Sequence, residues 1–324
     1  MVAEILPAAS ALAQAIALLE AGEPVAIPTE TVYGLAADAC NGAAVARIFE
    51  AKGRPRFNPL IAHVSSLAMG EEMAHFDPLS RKLAERFWPG PLTLVLPVGE
   101  GAPLHPLVMA GLSTVGLRMP VGFGNELIAR LGRPLAAPSA NRSGRVSATT
   151  ARAVAEEFGD RIQLVVDGGP TPVGLESTIV KVENGAVRLL RPGGVPAELI
   201  EAEIGMPVAR GGSSGIEAPG MMTSHYAPDA AVRRDVDEVR PGEALLAFGP
   251  QRVPGAERAV AIRNLSERGD LAEAASNLFS ALKALDGRGA SGIAVEPIPG
   301  EGLGEAINDR LARAAAPRGN STNG

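Results

Sequence analysis

The chain of 324 residues holds a single cysteine, Cys40. One thiol excludes an intrachain disulfide and any cysteine-rich zinc site. Its four histidines, at 63, 75, 105 and 225, lack metal-ligand spacing. No apolar run reaches the roughly 18 residues needed to cross a bilayer, so no membrane association is expected. No basic residue precedes Arg47, so the start lacks the charged region of a secretory signal, and the expected compartment is the cytoplasm. There is no Gly-Lys dipeptide, hence no Walker P-loop, and no Gly-x-Gly-x-x-Gly follows a strand. Aromatic residues make up only 3%, which leaves few stacking platforms for a single-stranded nucleic acid.

Hydrophobic residues at 46% and charged residues at 20% fit a globular chain with cores of small aliphatic side chains. The length allows two domains. A net charge of −6 argues against an extended nucleic-acid surface. The charge is uneven, however. Between residues 101 and 155 the one acid is Glu126, against Arg118, Arg130, Arg133, Arg142, Arg145 and Arg152. Between Glu50 and Glu71 there is no acid, yet Lys52, Arg54, Arg56 and His63 occur. Basic segments confined this way in an acidic chain suit a pocket for anionic ligands.

Periodicity predicts a helix over 10–21 capped by Ser10, after which helices and strands alternate. "AAVARIFEAKG", introduced by Asn41, precedes the strand "PLIAHVS"; "DPLSRKLAERFWPG" precedes "PLTLVLPV"; "GNELIARLG" precedes "PLAAPSAN". A helix near 149–159, the strand "IQLVVDGG", a hairpin turning at Asn184-Gly185 and a helix over about 196–204 follow. The expected fold class is α/β, a twisted mixed sheet over 1–208. Residues 209–230, rich in Gly, Ser and Pro, read as a linker. Residues 231–315 read as a smaller Rossmann-like α/β domain, with a capping box Asp270…Glu273, and 316–324 as a disordered tail. "GGSSG" over 211–215 has the form of a nucleophile elbow, but "IEAPGMM" cannot supply the helix that must follow, so it reads as linker.

Five segments of the first domain carry polar groups at strand or helix ends. "KGRP" closes a helix, where Lys52 and Arg54 suit a C-cap and its dipole equally well as a ligand. "RFNPLIAHV" adds Asn58 and sets His63 in an apolar strand, where a satisfied core histidine is the plainer reading. "STVGLRMP" places Arg118 near a strand end, facing either a structural carboxylate such as Asp167 or Glu176 or a substrate anion. "APSANRSGRVSAT" gathers Ser139, Asn141 and Ser147 beside arginines, either a polar turn or an oxyanion cradle. "GLESTIV" and "LLRPGG" add Ser177 and Arg191. Hydroxyls and cations at strand ends of an open α/β sheet mark a ligand crevice. Together they predict a pocket for a polyanion and a small polar molecule.

These segments, with "PTETVYGLAADA" (from Pro28) and "FWPGPLTLVL", resemble the threonylcarbamoyl-AMP synthase family, YrdC/Sua5, over roughly residues 8–205. "PGMMTSHYAP" and the small domain after it resemble the two-domain Sua5 type. The resemblance implies a YrdC-like fold and a nucleotidyltransferase making threonylcarbamoyl-AMP and pyrophosphate from L-threonine, bicarbonate and ATP, for the t6A modification at position 37 of tRNA. It implies that Thr31, His63, Arg118, Ala137 and Ser177 hold threonine. Arg54, Asn58, Thr114, Ser139, Ser147 and Arg191 would contact ATP, with Tyr226 of the linker closing over it as a lid. Lys52, Arg54, Ser139 and Asn141 form the family's Lys-x-Arg and Ser-x-Asn signatures and are the expected catalytic set. Mg2+ would accompany ATP without a protein-borne metal site, and a tRNA threonylcarbamoyl transferase complex would take the product. Two rivals stay open: an RNA-binding module, with weak tRNA binding by the chain itself, and a carbamoyltransferase-associated role in hydrogenase maturation. The second lacks the cysteine-rich zinc segment that such proteins carry.

Overall fold

Short aliphatic runs separated by capped helices build one large sheet from the first two-thirds of the chain. The structure, a computed structural model, describes residues 3–211, 215–221, 226–287 and 289–317. Two units divide it: Met1–Ser143 with Ser147–Met221, and Gly144–Val146 with Met222–Gly324.

In the first unit the order is β1 (Glu4–Pro7), α1 (Ala8–Glu20), β2 (Val25–Ile27), β3 (Gly34–Asp38), α2 (Gly42–Lys52), β4 (Ile61–His63), α3 (Leu67–Met73), α4 (Pro78–Phe87), β5 (Leu92–Pro97) and α5 (Pro106–Met109). It continues with β6 (Thr114–Arg118), α6 (Phe123–Leu131), β7 (Leu135–Ala136), α7 (Ala151–Phe158), β8 (Leu164–Asp167), β9 (Thr178–Glu183), β10 (Ala186–Arg191), α8 (Ala197–Ile204) and β11 (Ala209–Arg210). The expected helices and strands are present. Asn41 caps α2, accepting from the Ala43 and Ala44 N–H groups at 3.0 and 3.2 Å. Asn184 and Gly185, both at positive φ, turn the β9–β10 hairpin. Ser10 is not a cap: α1 begins two residues before it, and its hydroxyl donates to the Pro7 carbonyl from within the first turn.

Eleven strands order as β1-β8-β2-β3-β7-β4-β6-β5-β9-β10-β11, with parallel and antiparallel pairs mixed. Alternate residues of each strand pack on opposite faces. One face is covered along its length: Leu35, Ala62, Leu94, Leu117 and Val180 join Val45 and Ile48 of α2, Leu83 of α4 and Val154 of α7. The other face is covered at β8, β2, β3 and β7 by α1 and α6, through Leu19, Leu127 and Ile128. Over β4, β5, β9 and β10 it carries a small cluster, Ile61, Val95, Ile179 and Leu190, capped by Ala218 and Met221. Among the described residues no helix contributes to that cluster.

The second unit holds β12 (Val232–Arg233), β13 (Glu243–Ala247), β14 (Ile262–Asn264), α9 (Leu271–Asp286), β15 (Gly292–Val295) and α10 (Leu303–Ala315). Its strands are all parallel in the order β12-β15-β13-β14, unlike the 3-2-1-4 run of a doubly wound dinucleotide fold. The expected capping box is half made. Asp270 accepts from the Glu273 N–H, but the Asp270 N–H goes to Ser266 Oγ, which itself donates to Glu273. The central residues of "GGSSG" (212–214), His225 and residues 318–324 of the expected tail lie outside the described residues.

Candidate active site

His63 and Arg118 end the neighbouring parallel strands β4 and β6 and stand opposite each other in register. Both are buried. Burial, with the Arg118 charge second, pushes the His63 imidazole down to about 3, so the ring is neutral at physiological pH. Its Nδ1 has no hydrogen-bond partner among the described residues. A titration consequence follows. The unfolded chain takes up this proton near pH 6.5, the folded chain only near 3. Stability is therefore full above 6.5 and falls between those values by about 1.4 kcal/mol per pH unit. Urea unfolding of the wild type and His63→Gln between pH 6 and 4 is expected to show that extra slope in the wild type alone; equal slopes would mean the folded ring protonates.

Arg118 is paired, but with neither Asp167 nor Glu176. Its Nη2 donates to Glu30 Oε1 at 2.6 Å, and its Nε donates to the Gly90 carbonyl at 3.3 Å. Glu30 also accepts from the Val121 N–H at 3.0 Å. Nη1 has no partner among the described residues, so the Nη1/Nη2 fork stays available to a carboxylate. Two residues beyond Pro28, Glu30 thus fixes which edge of the guanidinium is offered.

Next to it, Thr31 is fully buried. The Thr29 hydroxyl spends its only proton on the Val32 carbonyl at 2.7 Å, so its 2.9 Å contact with Thr31 Oγ1 must be donated by Thr31. Thr31 Oγ1 keeps its lone pairs for a ligand donor.

Lys52 leaves the last turn of α2, before Gly53 in the left-handed region. It does not cap its own helix. Nζ donates to the carbonyls of Ser139, at 2.5 Å, and Asn141, and the Lys52 carbonyl accepts from the Ser143 N–H at 2.8 Å. The loop after β7 is tied to α2 in this way. Its other side is tied to β3: Ser139 bridges Gly34, and the Ala140 N–H donates to the Tyr33 carbonyl at 2.6 Å. A Cβ at Gly34 would sit 3.4 Å from that of Ala137, within van der Waals contact. Burial, then the nearby Arg54 charge, holds the Lys52 ammonium well below its ordinary range, against Glu157 and Glu176. Arg54 curls over its own loop, donating to the carbonyls of Asn58 at 3.2 Å and Pro59 at 2.7 Å.

Arg191 ends β10 and grips the residue before β9. Nε and Nη2 donate to the Ser177 carbonyl at 3.2 and 2.8 Å, and Nη2 reaches Ser177 Oγ at 3.2 Å. A Cβ at Gly193 would overlap the backbone from Glu176 to Thr178, so this close approach requires glycine. Ser147 Oγ donates to Glu176 at 2.5 Å.

The contacts form separate runs: Arg118 pairs with Glu30, which precedes Thr31; Gly34 bridges Ser139, whose carbonyl accepts from Lys52; and Glu176, which accepts from Ser147, precedes Ser177, which Arg191 grips. Ala137 donates its N–H to the Ile61 carbonyl of β4 at 3.1 Å. Thr114 opens β6 beside Pro97, about 13 Å from Arg118 at the usual rise per residue. Tyr226 belongs to the second unit, its ring stacked on Phe279 at 5.6 Å with Arg310 5.0 Å from its centre. Glu30 was not foreseen as the partner of Arg118; an acid between two threonines, just after a strand, was the available signal.

A mixed α/β sheet carrying a buried arginine with an open guanidinium edge, a neutral buried histidine and three further buried cations has the side chains of an anion-binding protein. The family model described as "Telomere recombination", Sua5/YciO/YrdC, matches residues 17–193, and "Threonylcarbamoyl-AMP synthase, C-terminal domain" matches residues 195–316. The chain belongs to the threonylcarbamoyl-AMP synthase family. It is 42% identical to the threonylcarbamoyl-AMP synthase of Bacillus subtilis (strain 168), over 95% of this chain and 93% of that one. To that of Pyrococcus abyssi (strain GE5 / Orsay) it is 42% identical over 94% of each chain. The solved P. abyssi Sua5 complexed with L-threonine superposes with a TM-score of 0.85 at 39% identity, covering 94% of both chains.

Proposed function

We propose that the chain is an L-threonylcarbamoyladenylate synthase, a nucleotidyltransferase that converts L-threonine, bicarbonate and ATP to threonylcarbamoyl-AMP and pyrophosphate. The observation that carries this reading is the open Nη1/Nη2 edge of the buried Arg118, fixed by Glu30 and set in register with His63. The threonine carboxylate takes the open Nη1/Nη2 edge of Arg118, and Thr31, Ala137, His63 and Ser177 enclose the rest of the amino acid. The deprotonated amine adds to carbon dioxide derived from bicarbonate. A carbamate oxygen then forms a bond to the α-phosphorus while the bond to the pyrophosphate oxygen breaks. The repulsion between carbamate and triphosphate is the barrier to overcome, so positioning and charge neutralisation do the work, and no protein nucleophile is needed.

Lys52, Arg54 and Arg191 supply positive charge, with Asn58, Ser139, Asn141, Ser147 and Thr114 as polar contacts to ATP; Tyr226 is the nucleotide lid that the family resemblance assigns. The site side chains are cations and hydroxyls, and no group of three metal-ligating side chains occurs among the described residues. They do not form a magnesium cage, so Mg2+ would be held by phosphate oxygens and water. The product would pass to a tRNA threonylcarbamoyl transferase complex for t6A synthesis. Direct tRNA binding is a weaker second reading, resting on the exposed Arg142 and Arg130. Among the described residues no helix is long and apolar enough to cross a membrane.

The purified chain, given ATP, 13C-bicarbonate and L-threonine, is expected to yield a labelled threonylcarbamoyl adenylate and pyrophosphate by mass spectrometry. ADP and phosphate as the only nucleotide products would refute adenylyl transfer.

A further inference from the structure

Thr93, in β5, belongs to none of the groups assigned above, yet it is fully buried and touches one of them. Its two γ groups go to opposite neighbours. The methyl lies beside Gly116 of β6, where an added Cβ would meet it at 3.4 Å. The hydroxyl lies 2.7 Å from Ser177 Oγ. That is the only hydrogen bond of the Thr93 side chain among the described residues.

A serine hydroxyl has one proton and two lone pairs. Arg191 Nη2 already donates to Ser177 Oγ at 3.2 Å. If Ser177 donated to Thr93, the Thr93 proton would be buried with no acceptor, a state that costs free energy. If Thr93 donates, both lone pairs of Ser177 are filled, and its proton is left to point away from both donors, toward the ligand. The second arrangement satisfies every group once an anionic oxygen arrives. We propose that Thr93 is a positioning residue: it orients the Ser177 hydroxyl as a donor to bound L-threonine. This rests on the placement of threonine at Ser177 and Arg118.

Thr93→Val keeps the branched shape and removes the hydroxyl; Thr93→Ser keeps the hydroxyl and removes the methyl. Calorimetric titration with L-threonine is the test, with thermal melts to confirm folded variants. Thr93→Val is expected to raise the Kd about five- to tenfold, and Thr93→Ser to stay within about twofold of the wild type. In a Ser177→Ala background, Thr93→Val should have no further effect, because its target is gone. Wild-type affinity in Thr93→Val, or effects of Thr93→Val and Ser177→Ala that simply multiply, would overturn the proposal. Absence of threonine binding by the wild type would instead overturn the functional reading beneath it.

Discussion

Arg118→Ala is expected to raise the Kd for L-threonine at least about 30-fold, because truncating one partner of a buried, hydrogen-bonded charge pair costs about 2–5 kcal/mol. The loss should fall on threonine and not on ATP. Arg118 lies at the end of β6, hydrogen-bonded to Glu30 and Gly90 so that its fork is turned outward. Arg118→Lys should recover little: an ammonium keeps the charge but has no planar pair of donors. Arg118→Ala leaves Glu30 buried and short of its cation, so some stability will also be lost there. Calorimetric titration of each ligand separates the two effects. A folded Arg118→Ala protein with wild-type threonine affinity would show that the carboxylate sits elsewhere.

Lys52→Met is expected to lower kcat by about 100- to 1000-fold, the usual cost of removing one preorganised donor from a site of developing charge. Methionine matches the length of the stem, so the fold should survive the loss of two hydrogen bonds to Ser139 and Asn141 carbonyls. The protonation state of Lys52 adds a second readout. Its ammonium is held down by burial and by Arg54, and a triphosphate placed beside it favours the charged form. Above its folded-state value, ATP binding should therefore take up a proton, and ATP affinity should fall as pH rises toward the ordinary lysine range. Titration in buffers of different ionisation enthalpy measures that uptake; in Lys52→Met it should vanish. The same uptake in both proteins would assign the proton to another group.

Local chemistry was the legible part of this chain. Asn41 before an apolar 3.6-residue repeat and Asn184-Gly185 between two apolar runs each act within a few residues, and those elements formed where expected. Strand β3 escaped because Gly34–Asp38 holds no β-branched residue; it is a strand only because β2 and β7 pair on either side of it. The candidate site was legible as a set of residue types at element ends, yet its wiring was not. Lys52 looks locally like a helix C-cap, while its acceptors lie 87 and 89 residues further on. Glu30 and Arg118 are 88 residues apart, and nothing in either neighbourhood singles out the other. Thr93 reads as an ordinary strand threonine until Ser177 is placed against it.

The most direct measurement is a crystal structure of the chain soaked with L-threonine and a non-hydrolysable ATP analogue. The account predicts the threonine carboxylate on the Nη1/Nη2 edge of Arg118, Ser177 Oγ within hydrogen-bond distance of the amino acid, and the α-phosphate facing it from the side of Lys52 and Arg191. Threonine bound away from Arg118, or a triphosphate lying beyond reach of the amino acid's nitrogen, would contradict it.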